Sequence, residues 1–323
     1  MNQSSFSRPS FAKINWSLEI LGKRPDGYHE VRTVLQTISL HDDIHFELSD
    51  DDAVSLSCDE PEIPTDHENL IVRAAYALKE RCKLEQGARI RLEKRIPTKA
   101  GLGGASSNAA VSLVALAHLW QVEPTAFELL EIAETLGADV PFFLIGGCAR
   151  ATGTGTTFST LPDETEPVQQ HLIVITPNVG VSTAAAYAAV NSRALTTRNA
   201  DSILSVSRSE VNSRHSQPWP LHENLKNDFE SVIFDIEPEI RRTKEILLQA
   251  GALGALLAGS GSSVFGIFAD QKDQQRAVNE IKLEPGWRLF PCVTVSRNEF
   301  LRALGSRDVL FLRSFNFGSD IGA

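Results

Sequence analysis

Apolar side chains recur at every second position early in the chain: Ile14, Trp16, Leu18 and Ile20 precede a turn at Gly22 to Gly27, and Val31 to Leu40 resumes the pattern. A period of two is that of a strand with one buried face. Ile44 to Leu48 runs into the acidic turn Ser49 to Asp52, a further short alternating run follows, and Ala88 to Ile96 alternates again before Pro97. The opening is therefore predicted to be β-rich. Between Asn69 and Leu84 the spacing changes, with Leu70, Ile71, Ala74, Ala75 and Leu78 forming a helical stripe.

Ser106 to Trp120 is apolar nearly all round, which predicts a central, buried helix. A second helix is predicted over Ala126 to Leu136, ahead of the loop Gly137-Ala-Asp-Val-Pro141. The polar, proline-bearing stretch Leu161 to Pro167 reads as a linker, so the chain divides into residues 1–165, residues 166–305 and a tail, 306–323, with no assigned role. The second half opens with a strand, Leu172 to Thr176, has helical segments at Ala184 to Ser192 and Glu237 to Gly251, and keeps a sheet pattern until about Val295. Thr196 to Ser216, rich in Ser, Arg and Asn, reads as an insertion.

Composition narrows the function. Of 323 residues, 42% are hydrophobic and 22% charged, enough apolar material for two cores. The formal net charge is −10. Such a chain repels phosphate backbones at long range, so neither nucleic acid nor an anionic membrane is expected, and an anionic ligand has to be captured locally. Cys58, Cys82, Cys148 and Cys292 form no Cys-x-x-Cys pair, which argues against a disulfide scaffold or zinc ribbon and points to a reducing cytoplasm. No signal-peptide pattern opens the chain, and no run of about 18 apolar residues follows.

The strongest local signal is Pro97-Thr-Lys-Ala-Gly101-Leu-Gly103-Gly104-Ala105-Ser106-Ser107, between a strand and a helix. Glycines let backbone N–H groups turn inward, and a helix N-terminus adds free donors and a positive dipole, so together they make an anion cradle. Ser106 and Ser107 are placed to cap the helix or to face a Mg²⁺ held by phosphates. Other phosphate folds fail on detail: the only Gly-Lys, Gly22-Lys23, is followed by Arg24, and neither Gly101-x-Gly103 nor Gly259-x-Gly261 has the third glycine of a dinucleotide fold. His41 and His45 lack the Glu of a zincin, so no protein-held metal is assigned. Lys13 sits in an apolar strand, where an ammonium is costly unless paired, and Asp139 is an attractive partner. Its alternative is a lysine that snorkels to solvent. Asn15, two residues on, shares its face.

The glycine loop, the earlier Ala12-Lys-Ile-Asn15 and the later Leu257-Ala-Gly259-Ser260-Gly261-Ser-Ser-Val-Phe-Gly266 stand in the order seen in the GHMP kinase superfamily, which the chain resembles. The resemblance implies an α+β fold of two domains, each a sheet with packed helices, and an active site in the cleft between them. It implies an ATP-dependent small-molecule kinase with Lys13 and Asp139 catalytic. ATP would meet Asn69, Pro97, Gly101, Leu102, Gly103, Gly104, Ala105, Ser106 and Ser107, with the turn Gly259, Ser260 and Gly261 pressing on that loop and Mg²⁺ arriving with the nucleotide.

Within the superfamily, Gly22-Lys-Arg24-Pro-Asp26-Gly-Tyr28-His29-Glu30 is similar to the segment of members acting on a cytidine diphosphate sugar alcohol in the non-mevalonate isoprenoid route. That implies Asn15, Tyr28, His29, Thr183 and Tyr187 around the substrate. Two departures stand out: Ala105 replaces a usual third glycine, and Thr154 stands where a basic residue is expected. Homoserine or mevalonate-type kinases and a catalytically silent nucleotide-binding module are the rival readings. Whether Asp139 is a general base or only orients the hydroxyl, and whether the chain is a monomer or homodimer, sequence leaves open.

Overall fold

Two long antiparallel strands realise the alternating opening. In the computed structural model, which describes residues 4–160, 169–197 and 225–305, β1 (Ser5–Lys23) pairs with β2 (His29–Leu48). Both are longer than the alternation suggested, because β-bulges at Phe11/Ala12, Asn15/Ser17 and Ile20/Gly22 interrupt the period without ending the ladder. With β3 (Val54–Cys58), β4 (Ala88–Glu93), β5 (Cys148–Thr152), β6 (Thr157–Thr160) and the short β8 (Lys226–Asn227) they form a seven-stranded sheet, whose main path runs β3-β4-β2-β1-β8.

Helix α1 (Leu70–Cys82) starts at Asn69, whose Oδ1 accepts the Ile71 N–H, and α3 (Ala126–Leu136) starts at a Thr125–Glu128 capping box. Between them α2 (Gly104–Leu119) is buried on nearly every side, as its composition predicts. These helices cover the sheet and form the first core with Ile44, Phe46, Ile90 and Leu92. The short α4 (Phe142–Ile145) completes it.

The second sheet, ordered β11-β7-β10-β9, contains β7 (His171–Thr176), β9 (Gly254–Leu257), β10 (Val264–Phe268) and β11 (Arg288–Val293). Around it lie α5 (Thr183–Thr197), α6 (Glu230–Ile236), α7 (Pro238–Gln249) and α8 (Gln271–Glu280). A third apolar cluster joins the halves: Ile14, Trp16, Ile38 and Leu102 pack with Val174, Leu256, Phe265 and Ile267. Trp16 meets Phe265 edge-on, ring centroids 5.5 Å apart, and burying a ring of this kind is worth about 2–3 kcal/mol.

The division at 165/166 and the 196–216 insertion fall largely outside the described residues, as does the 306–323 tail. Two elements of the second half pack on the first. Strand β8 pairs in parallel with Ser17 and Leu18 of β1, and α9 (Arg297–Gly305) buries Phe300, Leu301 and Leu304 in the first core. Among the described residues no helix is long and apolar enough to cross a membrane.

Candidate active site

The two glycine turns interlock. Gly101 and Gly103 have φ of +78° and +72°, conformations that L side chains rarely adopt. A Cβ on Gly101 would lie 1.9 Å from the Ala258 carbonyl oxygen, and one on Gly261 would lie 2.1 Å from the Gly101 nitrogen, so these backbones touch at a distance only glycine allows. The Ser263 N–H donates to the Ala100 carbonyl at 3.1 Å, and the Lys13 N–H to the Leu102 carbonyl at 2.9 Å. Strand β1 and both turns are thus one unit.

Gly103, rather than Ser106 or Ser107, is the N-cap of α2, and no side chain caps the helix. The expectation that a serine caps it is corrected: α2 begins at Gly104, so both serines lie inside its first turn. That end keeps its N–H donors and dipole for an anion. Ser107 is fully buried and accepts a 2.8 Å hydrogen bond from Ser10, whereas Ser106 is half-buried and Ala105 exposed. Leu102 and Pro97 are buried below the loop.

Lys13 is 5% exposed and its Nζ lies 3.5 Å from Oδ2 of Asp139, which is 39% exposed. The pair resolves the strand lysine in favour of a partner over snorkelling. Asp139 reaches it from the turn between α3 and α4, where the Val140 N–H donates to the Gly137 carbonyl. Lys13 Nζ also donates to Asn15 Oδ1 at 2.9 Å, so the two residues do share a face, while Ile14 between them and Trp16 after them belong to the shared core. Gly259, with φ of +57°, lies against both: a Cβ there would stand 3.2 Å from Lys13 Nζ.

The residues expected around a cytidine are partly assembled. His29 stacks on Tyr187, centroids 4.7 Å apart, and Tyr187 packs edge-on against Phe229. The Tyr187 phenol is pushed up from its ordinary range by burial first and by the Asp139 charge second, which ties this aromatic pair electrostatically to the Lys13–Asp139 pair. Thr183, at the start of α5, shares a 3.0 Å hydroxyl–hydroxyl hydrogen bond with Ser260. Tyr28 stands apart, 67% exposed in the loop after Gly27, with its N–H on Asp26 Oδ1. Asn69 spends both ends of its amide locally, accepting from Ile71 and donating to the Pro64 carbonyl at 2.7 Å. Thr154 pairs with Thr156 at 3.1 Å in the β5–β6 turn.

Three further residues build the site; Phe143 ends the segment Gly137 to Phe143 that carries part of the resemblance, while no sequence pattern marks Asn227 or Asp42. Asn227 donates to the Leu257 and Gly259 carbonyls at 2.9 and 2.7 Å, fixing the second turn to the strand paired with β1. Phe143 packs over the first glycine loop, 2.8 Å from where a Gly103 Cβ would be. Asp42, fully buried, accepts from Lys94 Nζ, from the Arg95 and Ile96 N–H groups and from Asn108 Nδ2, anchoring the strand before the loop to the helix after it.

A glycine loop that opens a buried helix, braced by a second glycine turn and set beside an acid–cation pair, is the arrangement of a small-molecule kinase of the GHMP type. Residues 69–147 match the GHMP kinases N terminal domain and residues 220–285 the GHMP kinases C terminal family. The chain belongs to the 4-diphosphocytidyl-2-C-methyl-D-erythritol kinase family. It is 38% identical to that kinase of Thermoanaerobacter pseudethanolicus over 84% of this chain and 91% of the relative. It is 42% identical to that of Pelotomaculum thermopropionicum, over 80% and 88%. A solved 4-(cytidine 5'-diphospho)-2C-methyl-D-erythritol kinase superposes with a TM-score of 0.70 at 32% identity, covering 90% of this chain and 99% of that one.

Proposed function

We infer that this chain transfers the γ-phosphoryl group of ATP to the 2-hydroxyl of 4-diphosphocytidyl-2-C-methyl-D-erythritol, releasing the 2-phosphate and ADP in the non-mevalonate route to isoprenoid precursors. The observation that carries the reading is the Lys13–Asp139 pair, 3.5 Å apart, beside two interlocked glycine turns. Phosphoryl transfer to an alcohol needs the phosphates held, their charge offset and the hydroxyl placed in line. The uncapped end of α2 supplies N–H groups to the phosphates, Asp139 takes a hydrogen bond from the attacking hydroxyl, and Lys13 offsets charge that builds during transfer. The Lys13 ammonium at 3.5 Å holds the Asp139 carboxylate in place, which suits it to orient the hydroxyl. Asn69 and Pro97 flank the ATP side. Asn15, Tyr28, His29, Thr183 and Tyr187 line the cytidine side.

Mg²⁺ accompanies ATP in this reading. Among the described residues no cluster of three or more His, Cys, Asp or Glu could hold a metal. The oxygens near the loop, Ser106 and Asp139, suit an ion that keeps its waters and phosphates and takes one or two protein ligands. Ser107, engaged with Ser10, is the poorer donor. Bound there, the ion neutralises phosphate charge. Cys58, Cys82 and Cys292 are free thiols.

The test is coupled ADP release with the diphosphocytidyl alcohol against homoserine, mevalonate and galactose. Turnover confined to the cytidine substrate is expected. Turnover confined to another alcohol would reassign the substrate, and nucleotide-dependent thermal stabilisation without turnover on any alcohol would leave a silent binding module.

A further inference from the structure

Asn15 stands between Lys13 and Thr33, and the chemistry of one carbonyl decides which way its amide points. The main-chain oxygen of Ser17 can only accept, and Thr33 Oγ1 lies 2.6 Å from it, so the threonine proton is committed there. Thr33 Oγ1 must then accept from its other neighbour, 2.8 Å away, which is therefore the nitrogen of the Asn15 amide. The amide oxygen is left facing Lys13 Nζ at 2.9 Å. A reversed amide would set NH₂ against NH₃⁺, two donors at hydrogen-bond distance. Lys13, Asn15, Ser17 and Thr33 are all buried, so little water is at hand to relieve that conflict.

Sheet register explains why Thr33 holds this post. Lys13 is opposite Thr37 and Asn15 opposite Leu35, and Thr33 continues the same alternate series along β2 on the same face. The bulge at Asn15/Ser17 inserts Trp16, so that the Asn15 side chain and the Ser17 carbonyl converge on one hydroxyl.

We propose that Thr33 is a positioning residue for the phosphoryl transfer: through Asn15 it fixes the Lys13 ammonium beside Asp139. The proposal rests on the kinase reading above. It is distinct from packing, because the hydroxyl and the methyl of Thr33 have different tasks. Thr33→Val keeps the shape and removes the hydroxyl, whereas Thr33→Ser keeps the hydroxyl and removes the methyl.

Positioning ranks the serine variant above the valine variant in kcat, and packing ranks them the other way. The experiment is steady-state ADP release with the diphosphocytidyl alcohol on wild type, Thr33→Val and Thr33→Ser, with a crystal structure of the valine variant. Expected are a fall in kcat of about tenfold or more for valine, a change within about threefold for serine, and a KM for ATP within about threefold for both. Lys13 Nζ should leave Asn15 Oδ1 in the valine variant. Should that variant not fold, Thr33→Ala, also without the hydroxyl, takes its place. An inactive wild type overturns the kinase reading. An active wild type with the hydroxyl-free variant as fast as Thr33→Ser overturns the positioning role, as does an unmoved Lys13–Asn15–Asp139 arrangement whatever the turnover.

Discussion

The Lys13 ammonium lies 3.5 Å from the Asp139 carboxylate, with the lysine buried and the aspartate open to the cleft. One partner is thus fixed by its surroundings while the other is open to solvent. Asp139→Asn removes the charge and keeps the shape, and Lys13 retains its bond to Asn15. Folding and ATP affinity are expected to survive while kcat falls by about 10² or more, since an oriented carboxylate acts mainly in the transition state. Steady-state kinetics beside calorimetric ATP binding decide it. A kcat within about threefold of wild type would remove Asp139 from the chemistry.

Gly103 combines a φ of +72° with two side chains close to the absent Cβ: Phe143 at 2.8 and 2.9 Å and Lys13 Cγ at 3.0 Å. Gly103→Val therefore meets backbone strain and two side chains that belong to the site. Weaker ATP binding is expected, by about tenfold or more, because the loop has to open to admit the methyl groups. Calorimetry on the folded variant measures it, and unchanged affinity would reduce the loop to an ordinary turn.

Legibility in the sequence followed the range of the interactions. Period-two and period-3.6 patterns are local, so α2, α3 and β7 fell within two residues of where the patterns put them. Strand alternation is also local, and it sets Lys13 and Asn15 on one face. Their burial was harder: in β1 polar side chains at alternate positions usually mark a solvent face, yet Lys13, Asn15 and Ser17 are buried because they satisfy each other and their neighbours. Strand β8, only two residues long, carries no period at all, and the Asn227 bonds span about thirty residues. The return of α9 to the first core depends on Phe300 finding space over Gly146, which no pattern within α9 encodes.

Asp42 shows what a long-range contact of this kind is worth. It is fully buried, its partner Lys94 is 8% exposed at the side chain, and 52 residues separate them. Asp42→Ala leaves an ammonium, two backbone N–H groups and the Asn108 amide without their acceptor. A loss of about 3–5 kcal/mol in unfolding free energy is expected, as for other broken buried pairs. Urea unfolding measures it. A loss below about 1 kcal/mol would mean that water replaces the carboxylate.

Base recognition separates two neighbouring residues that sequence treated alike. Tyr28 is 67% exposed and gives the fold little, whereas His29 is buried and stacked on Tyr187 at 4.7 Å. That spacing leaves no room for a base between the two rings, since inserting one needs outer rings about 7 Å apart. For the proposed substrate, cytosine is expected to stack against an outer ring face, where the exposed Tyr28 can close on it. Such stacking is worth about 1–3 kcal/mol, so Tyr28→Ala is expected to raise the KM for the cytidine substrate by about 5- to 150-fold, with thermal stability and ATP affinity nearly unchanged. His29→Ala should raise the same KM but also lower stability, because it unstacks Tyr187 from a partly buried pair. The uridine analogue tests polarity in place of stacking: it exchanges the amino donor of cytosine for an acceptor at the same place, and a site built for one leaves polar groups unpaired with the other. A much lower kcat/KM for uridine is expected on wild type. Equal use of the two bases, or a Tyr28 variant that loses ATP affinity and keeps its KM for the alcohol, would put the base site elsewhere than beside Tyr28 and His29.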